Sequence, residues 1–223
     1  MKSKYYTLLF LLLELILYIL ILTTGGDLLR YSSYISIVLC FLFGVLHIRK
    51  DNRNLIAGQV LTLCADTCLV LCQPIRQFAG MVFFFFAQSS YGIYLHRHHP
   101  NRRTQIIRAI LMFLSILVCI VVLGDKTDAL AIVSIGYYAH LIMNLVDSIR
   151  LRKKYPLLPW AFVLFLFCDT IIGLQVMSGG YLPIPAGSFI HNLLFSNFNL
   201  AWLFYLPSQV MIALSAQNHK ERP

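Results

Sequence analysis

Apolar residues fall in eight blocks along the chain, each near the roughly 20 residues that a helix needs to cross a bilayer. The blocks predict spans at 5–23, 33–48, 55–73, 77–95, 106–124, 129–149, 157–177 and 190–214. The second is short, and is expected to be tilted or partly interfacial. The runs are continuous rather than alternating, which argues for helices and against a strand barrel. A spanning helix satisfies its own backbone groups, as lipid cannot. The expected fold is an all-α membrane protein, a bundle of eight transmembrane helices forming one integral membrane domain over residues 1–223.

Composition strengthens this reading. Of the 223 residues, 59% are apolar and 12% charged, and mean hydropathy is +0.75. A soluble domain usually carries about 25% charge, so too little polar surface is present to coat a water-soluble globule. No long linker or low-complexity tract remains once the helices are placed.

The basic residues then supply a direction. With the N-terminus inside, almost all of the 18 Lys and Arg fall on the inner side, and only Arg30, Arg76 and Lys126 fall outside. Arg108 is counted with the inner loop formed by Arg97, Arg102 and Arg103. This sorting follows the positive-inside rule and predicts cytoplasmic N- and C-termini; in a bacterium the membrane would be the plasma membrane. The net charge of +9 is accounted for by basic loops lying against anionic headgroups, with no nucleic-acid partner. His96-Arg97-His98-His99 reads as a solvated basic loop rather than a metal site. The first apolar run lacks a small-x-small cleavage site and reads as an uncleaved helix. All six cysteines lie within predicted spans; Cys64, Cys68 and Cys72 share a helix face as small packing residues. No metal or cofactor is expected. The segment from Ser178 to Phe189, rich in Gly and Pro, reads as an outer turn that could cap the bundle.

Three carboxyls break the apolar runs: Glu14, Asp66 and Asp169. An ionisable group in the hydrocarbon region costs roughly 2.5–3.5 kcal/mol on insertion scales, and so marks a candidate functional site. Asp66 and Asp169 both lie about 18 Å along helices running outward from the inner face, at 1.5 Å per residue. Polar groups at comparable depth are Tyr137, Tyr138, His140 and Asn144 in the sixth span, Gln88 and Tyr91 in the fourth, and Tyr205 and Gln209 in the eighth. Lipid cannot solvate them, so they are expected to face inward around the two aspartates. Asp66-Thr67 and Asp169-Thr170 occupy matching places in spans three and seven. Gln88 and Gln209 do so in spans four and eight. Both matches suggest a four-helix unit repeated in the same orientation.

Four segments in order carry a resemblance. They are Gly58-Gln59-Val60-Leu61-Thr62-Leu63-Cys64-Ala65-Asp66; Phe78-Ala79-Gly80 with the Phe-rich run to Tyr91; Phe165-Leu166-Phe167-Cys168-Asp169-Thr170; and Phe204-Tyr205-Leu206-Pro207-Ser208-Gln209 continuing to Ala213. Over about residues 55–215 the chain resembles the YhhN-like family, which includes the lysoplasmalogenases. Ala65 stands where Gly is usual, Cys168 where Ser is usual, and Gln88 where many members carry His. The resemblance implies a multi-pass hydrolase that cleaves the vinyl ether bond of lysoplasmalogens, releasing a fatty aldehyde and a glycerophospho-base. Two buried carboxyls suit that chemistry. One protonates the vinyl ether carbon, and the other stays ionised, stabilises the oxocarbenium ion and activates water. Asp66 and Asp169 are the expected catalytic pair, with Tyr205, Gln209, His140, Gln88 and Asn144 orienting substrate or water. Carboxyls about 5–9 Å apart, as in glycosidases, would leave room for that water. The partners implied are lysophospholipid-like membrane lipids. A second reading is a transporter or lipid-binding protein using the same carboxyls as proton or cation sites, without hydrolysis.

Overall fold

The computed structural model describes residues 2–178, 184–196 and 198–217. The chain forms α1 (Lys2–Thr23), α2 (Gly26–Leu46), α3 (Arg53–Asp66), α4 (Gln77–His98), α5 (Arg102–Leu123), α6 (Ala129–Arg150), α7 (Leu157–Ser178), a short α8 (Phe189–Leu194) and α9 (Leu200–Gln217). A π-helical turn, Thr67–Leu71, extends α3. Among the described residues, eight helices are long and apolar enough to cross a membrane. The protein is therefore an integral, multi-pass membrane protein.

Two expected spans are revised. The second begins at Gly26, not residue 33, and is a full 21-residue helix. Asp27 and Arg30 sit in its first turns as an ion pair at 2.9 Å, so charge at this end masks a start that the helix makes on an extended Gly25. The eighth span, expected from residue 190, is divided. Phe189–Leu194 forms a helix of its own, capped by the Ser188 hydroxyl, which accepts the His191 N–H. The spanning helix α9 starts only at Leu200. The cap expected between Ser178 and Phe189 falls partly on residues 179–183, outside the described residues.

The helices pack in two matching sets of four. In the first, α1 lies on α2, α2 on α3, and α3 on α4; in the second, α5 lies on α6, α6 on α7, and α7 on α9. The sets join through α2 against α9 and α4 against α6, the pairing that a two-fold relation between halves requires. Side chains follow the same scheme. Tyr34 on α2 pairs its hydroxyl with Thr67 at 3.1 Å, and Tyr138 on α6 pairs with Thr170 at 2.7 Å. In both halves the threonine directly follows the intramembrane aspartate.

Helices α1 and α5 lie at the periphery. Their leucine, isoleucine and valine side chains face outward, Val121 and Val122 each 73% exposed, as suits helices whose solvent on that side is lipid. The core lies among α3, α4, α6, α7 and α9. Gly58 permits a close approach there: a Cβ at this position would stand 2.2 Å from the Tyr91 ring. Tyr91 is fully buried and its hydroxyl bonds Thr62 at 3.1 Å.

Both ends of the described chain lie on one face. The Gln217 amide donates to the Thr7 hydroxyl at 2.8 Å. On the same face the buried Asn52 donates to the carbonyls of His47, at 2.9 Å, and Ala216, at 3.1 Å. Arg49, Lys50, Lys153 and Lys154 in the loops, and Arg53, Arg97 and Arg102 at the adjoining helix ends, all lie on this side, the basic face. At the opposite face the Asn199 side-chain amide donates to the Ile21 carbonyl at 3.2 Å, tying the start of α9 to the end of α1.

Candidate active site

The site is built where α3 gives way to its π turn. Thr67 closes the α-helix by donating its hydroxyl to the Leu63 carbonyl at 2.7 Å. The Cys72 N–H then reaches back five residues to the Thr67 carbonyl at 3.0 Å. Such wide turns recur at functional sites. Here the turn presents Leu69 and Val70 to a cavity immediately beyond Asp66. Leu69 also packs on Gly80 of α4, where a Cβ would meet it at 2.6 Å; the missing side chain lets the turn sit down on α4.

Asp66 and Asp169 line this one cavity, of about 150 Å³, together with Phe84, Cys168, Trp202 and Tyr205. Each carboxyl accepts a tyrosine hydroxyl from a neighbouring helix. Tyr205 of α9 donates to Asp66 at 2.7 Å, and Tyr137 of α6 donates to Asp169 in a short hydrogen bond. An O–H donor aimed at a carboxylate is a charge-assisted bond, about twice as strong as a neutral one, and it fixes where the oxygens point.

Aromatic packing holds the two tyrosines in place. The Phe84 ring lies 5.6 Å from Tyr137 and 6.4 Å from Tyr205, while Phe165 packs edge-on to Tyr205 at 5.4 Å. Trp202 covers the other side of Tyr205 at 5.2 Å. Phe165 is fully buried and Phe84 nearly so. The carboxyls thus sit in apolar walls and keep a polar partner each.

The remaining polar residues of the middle helices form a second group. Asn144 is fully buried and donates to both the backbone and side-chain oxygens of Gln88 at 2.8 Å. Its own oxygen accepts from Arg108 at 2.8 Å, and His140 lies 3.1 Å from the same guanidinium nitrogen. Arg108 also pairs with Asp147 at 2.9 Å, and Arg150 joins Asp147 at 3.2 Å. Gln88, His140 and Asn144 are therefore engaged with this group, and neither they nor the buried Gln209 are among the residues that line the cavity. Tyr205 is.

Arg108 departs from its expected place. The sequence puts it with the basic loop, but α5 starts at Arg102, where Asn101 accepts the N–H groups of Arg103 and Thr104. Arg108 consequently lies well inside the helix and is 6% exposed. Its partner Asp147 is a third buried acid, beside Glu14 and Asp66; it lies 39 positions away, and no local pattern links the two. The one available signal is the period of α6: Tyr137, His140, Asn144 and Asp147 fall on one helical stripe. Glu14 is also buried, but apart from the cavity; it accepts from Ser36 at 2.5 Å and from the Cys40 thiol at 3.4 Å.

Eight spanning helices around two tyrosine-bound carboxyls define a multi-pass membrane protein with an intramembrane acidic cavity. The model of the YhhN family matches residues 28–216. The chain belongs to that family. Comparison with curated proteins and with solved structures found no match.

Proposed function

We propose that this protein hydrolyses the vinyl ether bond of a lysoplasmalogen-type lipid, using Asp66 and Asp169 as its acid–base pair. The observation that carries the reading is that both aspartates line one cavity, each held by its own tyrosine. Membership of a family that includes lysoplasmalogenases supports the same reading.

The chemistry needs one carboxyl with a proton and one without. The protonated carboxyl adds its proton to the vinyl carbon remote from the ether oxygen. The resulting oxocarbenium ion is stabilised by the second carboxylate, which also takes a proton from the attacking water. Water adds to the carbon bonded to oxygen, and the hemiacetal collapses to a fatty aldehyde and a free glycerol hydroxyl. One water is consumed and no redox change occurs. Tyr205 and Tyr137 keep the carboxylate oxygens directed into the cavity.

The polar group from Gln88 to Asp147 favours this reading over transport. A path between the two faces would have to pass buried side chains already bonded to one another, Gln88, Asn144 and Arg108 among them.

The decisive experiment incubates the purified protein with lysoplasmalogen and reads released aldehyde, beside Asp66→Asn and Asp169→Asn. Aldehyde from the wild type and its loss in both variants is the expected result. No aldehyde from folded wild type removes the substrate assignment. Full activity in both variants removes the mechanism.

A further inference from the structure

We infer that the carboxyl cavity takes its substrate from the leaflet opposite the basic face, as a single-chain lipid that stays partly in the bilayer while its reacting segment enters. The inference rests on the hydrolase reading for what happens inside the cavity, but the direction of access is argued from geometry alone.

The lining residues set the direction. Leu69 and Val70 follow Asp66 on the π turn, and Ile172 follows Asp169 by one turn of α7. Both stretches run away from the basic face. Ala201 and Trp202 belong to the first turn of α9, the end tied to α1 at the non-basic face. From the two aspartates, then, the cavity extends toward the non-basic side.

The other direction is closed by packing. Phe84, Phe165 and Tyr137 form the aromatic layer at the level of the carboxyls. The chain of Gln88, Asn144, Arg108 and Asp147 follows on the basic side, with Gln88 and Asn144 fully buried. Opening this route would leave buried polar groups, the Arg108–Asp147 pair among them, without partners.

Size decides what enters. The cavity volume is about 150 Å³. Pockets that enclose a drug-sized ligand run from about 300 Å³. A lysolipid therefore cannot be engulfed; only the vinyl ether and its immediate neighbours fit. The rest needs an exit, and Ile172 marks one, because it lines the cavity yet is 44% exposed on the surface of the bundle. An apolar chain leaving past Ile172 stays in hydrocarbon. Trp202, at the mouth beside the first turn of α9, has the amphipathic ring that suits a membrane interface, where the headgroup would remain. On the positive-inside expectation this is the outer leaflet.

The test reads access without turnover. Ala201→Cys and, separately, Ile172→Cys are prepared in the full chain, with Lys153→Cys in the basic loop as orientation reporter. Sealed membrane vesicles of both orientations are treated with a charged, impermeant methanethiosulfonate, and modification is read residue by residue by peptide mass spectrometry. Position 201 or 172 should be modified only from the face opposite position 153. An alkyl-ether lysophospholipid, which has no vinyl bond to cleave, should suppress that modification, and a diacyl phospholipid should not. Modification from the basic face, from both faces or from neither overturns the inference, as does equal protection by both lipids. A correctly labelled protein that releases no aldehyde would instead count against hydrolysis alone.

Discussion

Tyr205 places its hydroxyl 2.7 Å from the Asp66 carboxylate across 139 positions of sequence. The bond joins α9 to α3 at the point where α3 turns into its π segment. Tyr137 makes the corresponding bond to Asp169 from α6. The prediction is that Tyr205→Phe folds but loses activity. One hydrogen bond to a charged group is worth about 1.5–3 kcal/mol, which corresponds to about ten- to hundredfold in rate if it is fully expressed in the transition state. Aldehyde release from lysoplasmalogen by Tyr205→Phe and Tyr137→Phe measures it. Rates within twofold of wild type in both variants would deny the tyrosines a role in positioning the acids.

Much of this site was legible in the chain because lipid penalises each polar residue separately. Asp66 and Asp169 stand out from apolar runs, and their depth follows from helical rise. The matching Asp-Thr pairs also foretell the repeated packing, which Tyr34 with Thr67 and Tyr138 with Thr170 display. What the sequence hides is rotation about each helix axis. Gln88, His140 and Asn144 lie in the hydrophobic middle like the aspartates, yet they turn toward Arg108 rather than the cavity. Arg108 itself was concealed by its neighbours Arg102 and Arg103, because a run of arginines reads as a loop until the Asn101 cap fixes where the helix begins.

Close packing at Gly58 gives a second prediction. A methyl group there would meet the Tyr91 ring at 2.2 Å, and Tyr91 has no room to yield, being fully buried and bonded to Thr62. Gly58→Ala should lower stability by about 1–3 kcal/mol, the usual range for overpacking a filled core. Gly173 is the control, with nothing within 4 Å of the corresponding position; Gly173→Ala should leave stability unchanged or slightly raised. Unfolding in mixed detergent micelles compares them, and equal behaviour of the two variants would contradict the contact.

Glu14 separates burial from chemistry. It is 3% exposed, but its partners are Ser36 and Cys40 on α2, and it does not line the cavity. Glu14→Gln keeps an oxygen to accept from Ser36 and removes a charge that lipid-side burial disfavours. Aldehyde release is expected within twofold of wild type, with thermal stability equal or higher. A tenfold or greater loss of activity in a protein as stable as wild type would show that this carboxyl takes part in the reaction after all.

The last prediction concerns the Arg108–Asp147 pair at 2.9 Å. Side-chain exposure is 7% for the arginine and 11% for the aspartate, so each charge depends on the other. Removing one partner of a buried pair typically costs about 3–5 kcal/mol, because the remaining charge is left in an apolar setting, whereas replacing both with apolar groups of similar size is often neutral. Asp147→Leu should therefore be strongly destabilised, because buried Arg108 loses its only carboxylate among the described residues, and Arg108→Met somewhat less so, since Asp147 keeps Arg150 at 3.2 Å. The double variant Arg108→Met/Asp147→Leu should be more stable than Asp147→Leu alone. Full recovery is not expected, because Asn144 and His140 also lose the guanidinium they face. A double-mutant cycle on unfolding in mixed micelles gives the coupling, expected to favour the intact pair by about 1–3 kcal/mol. Strict additivity would mean that the two charges do not support each other, and the polar seal on the basic side of the cavity would lose its central bond.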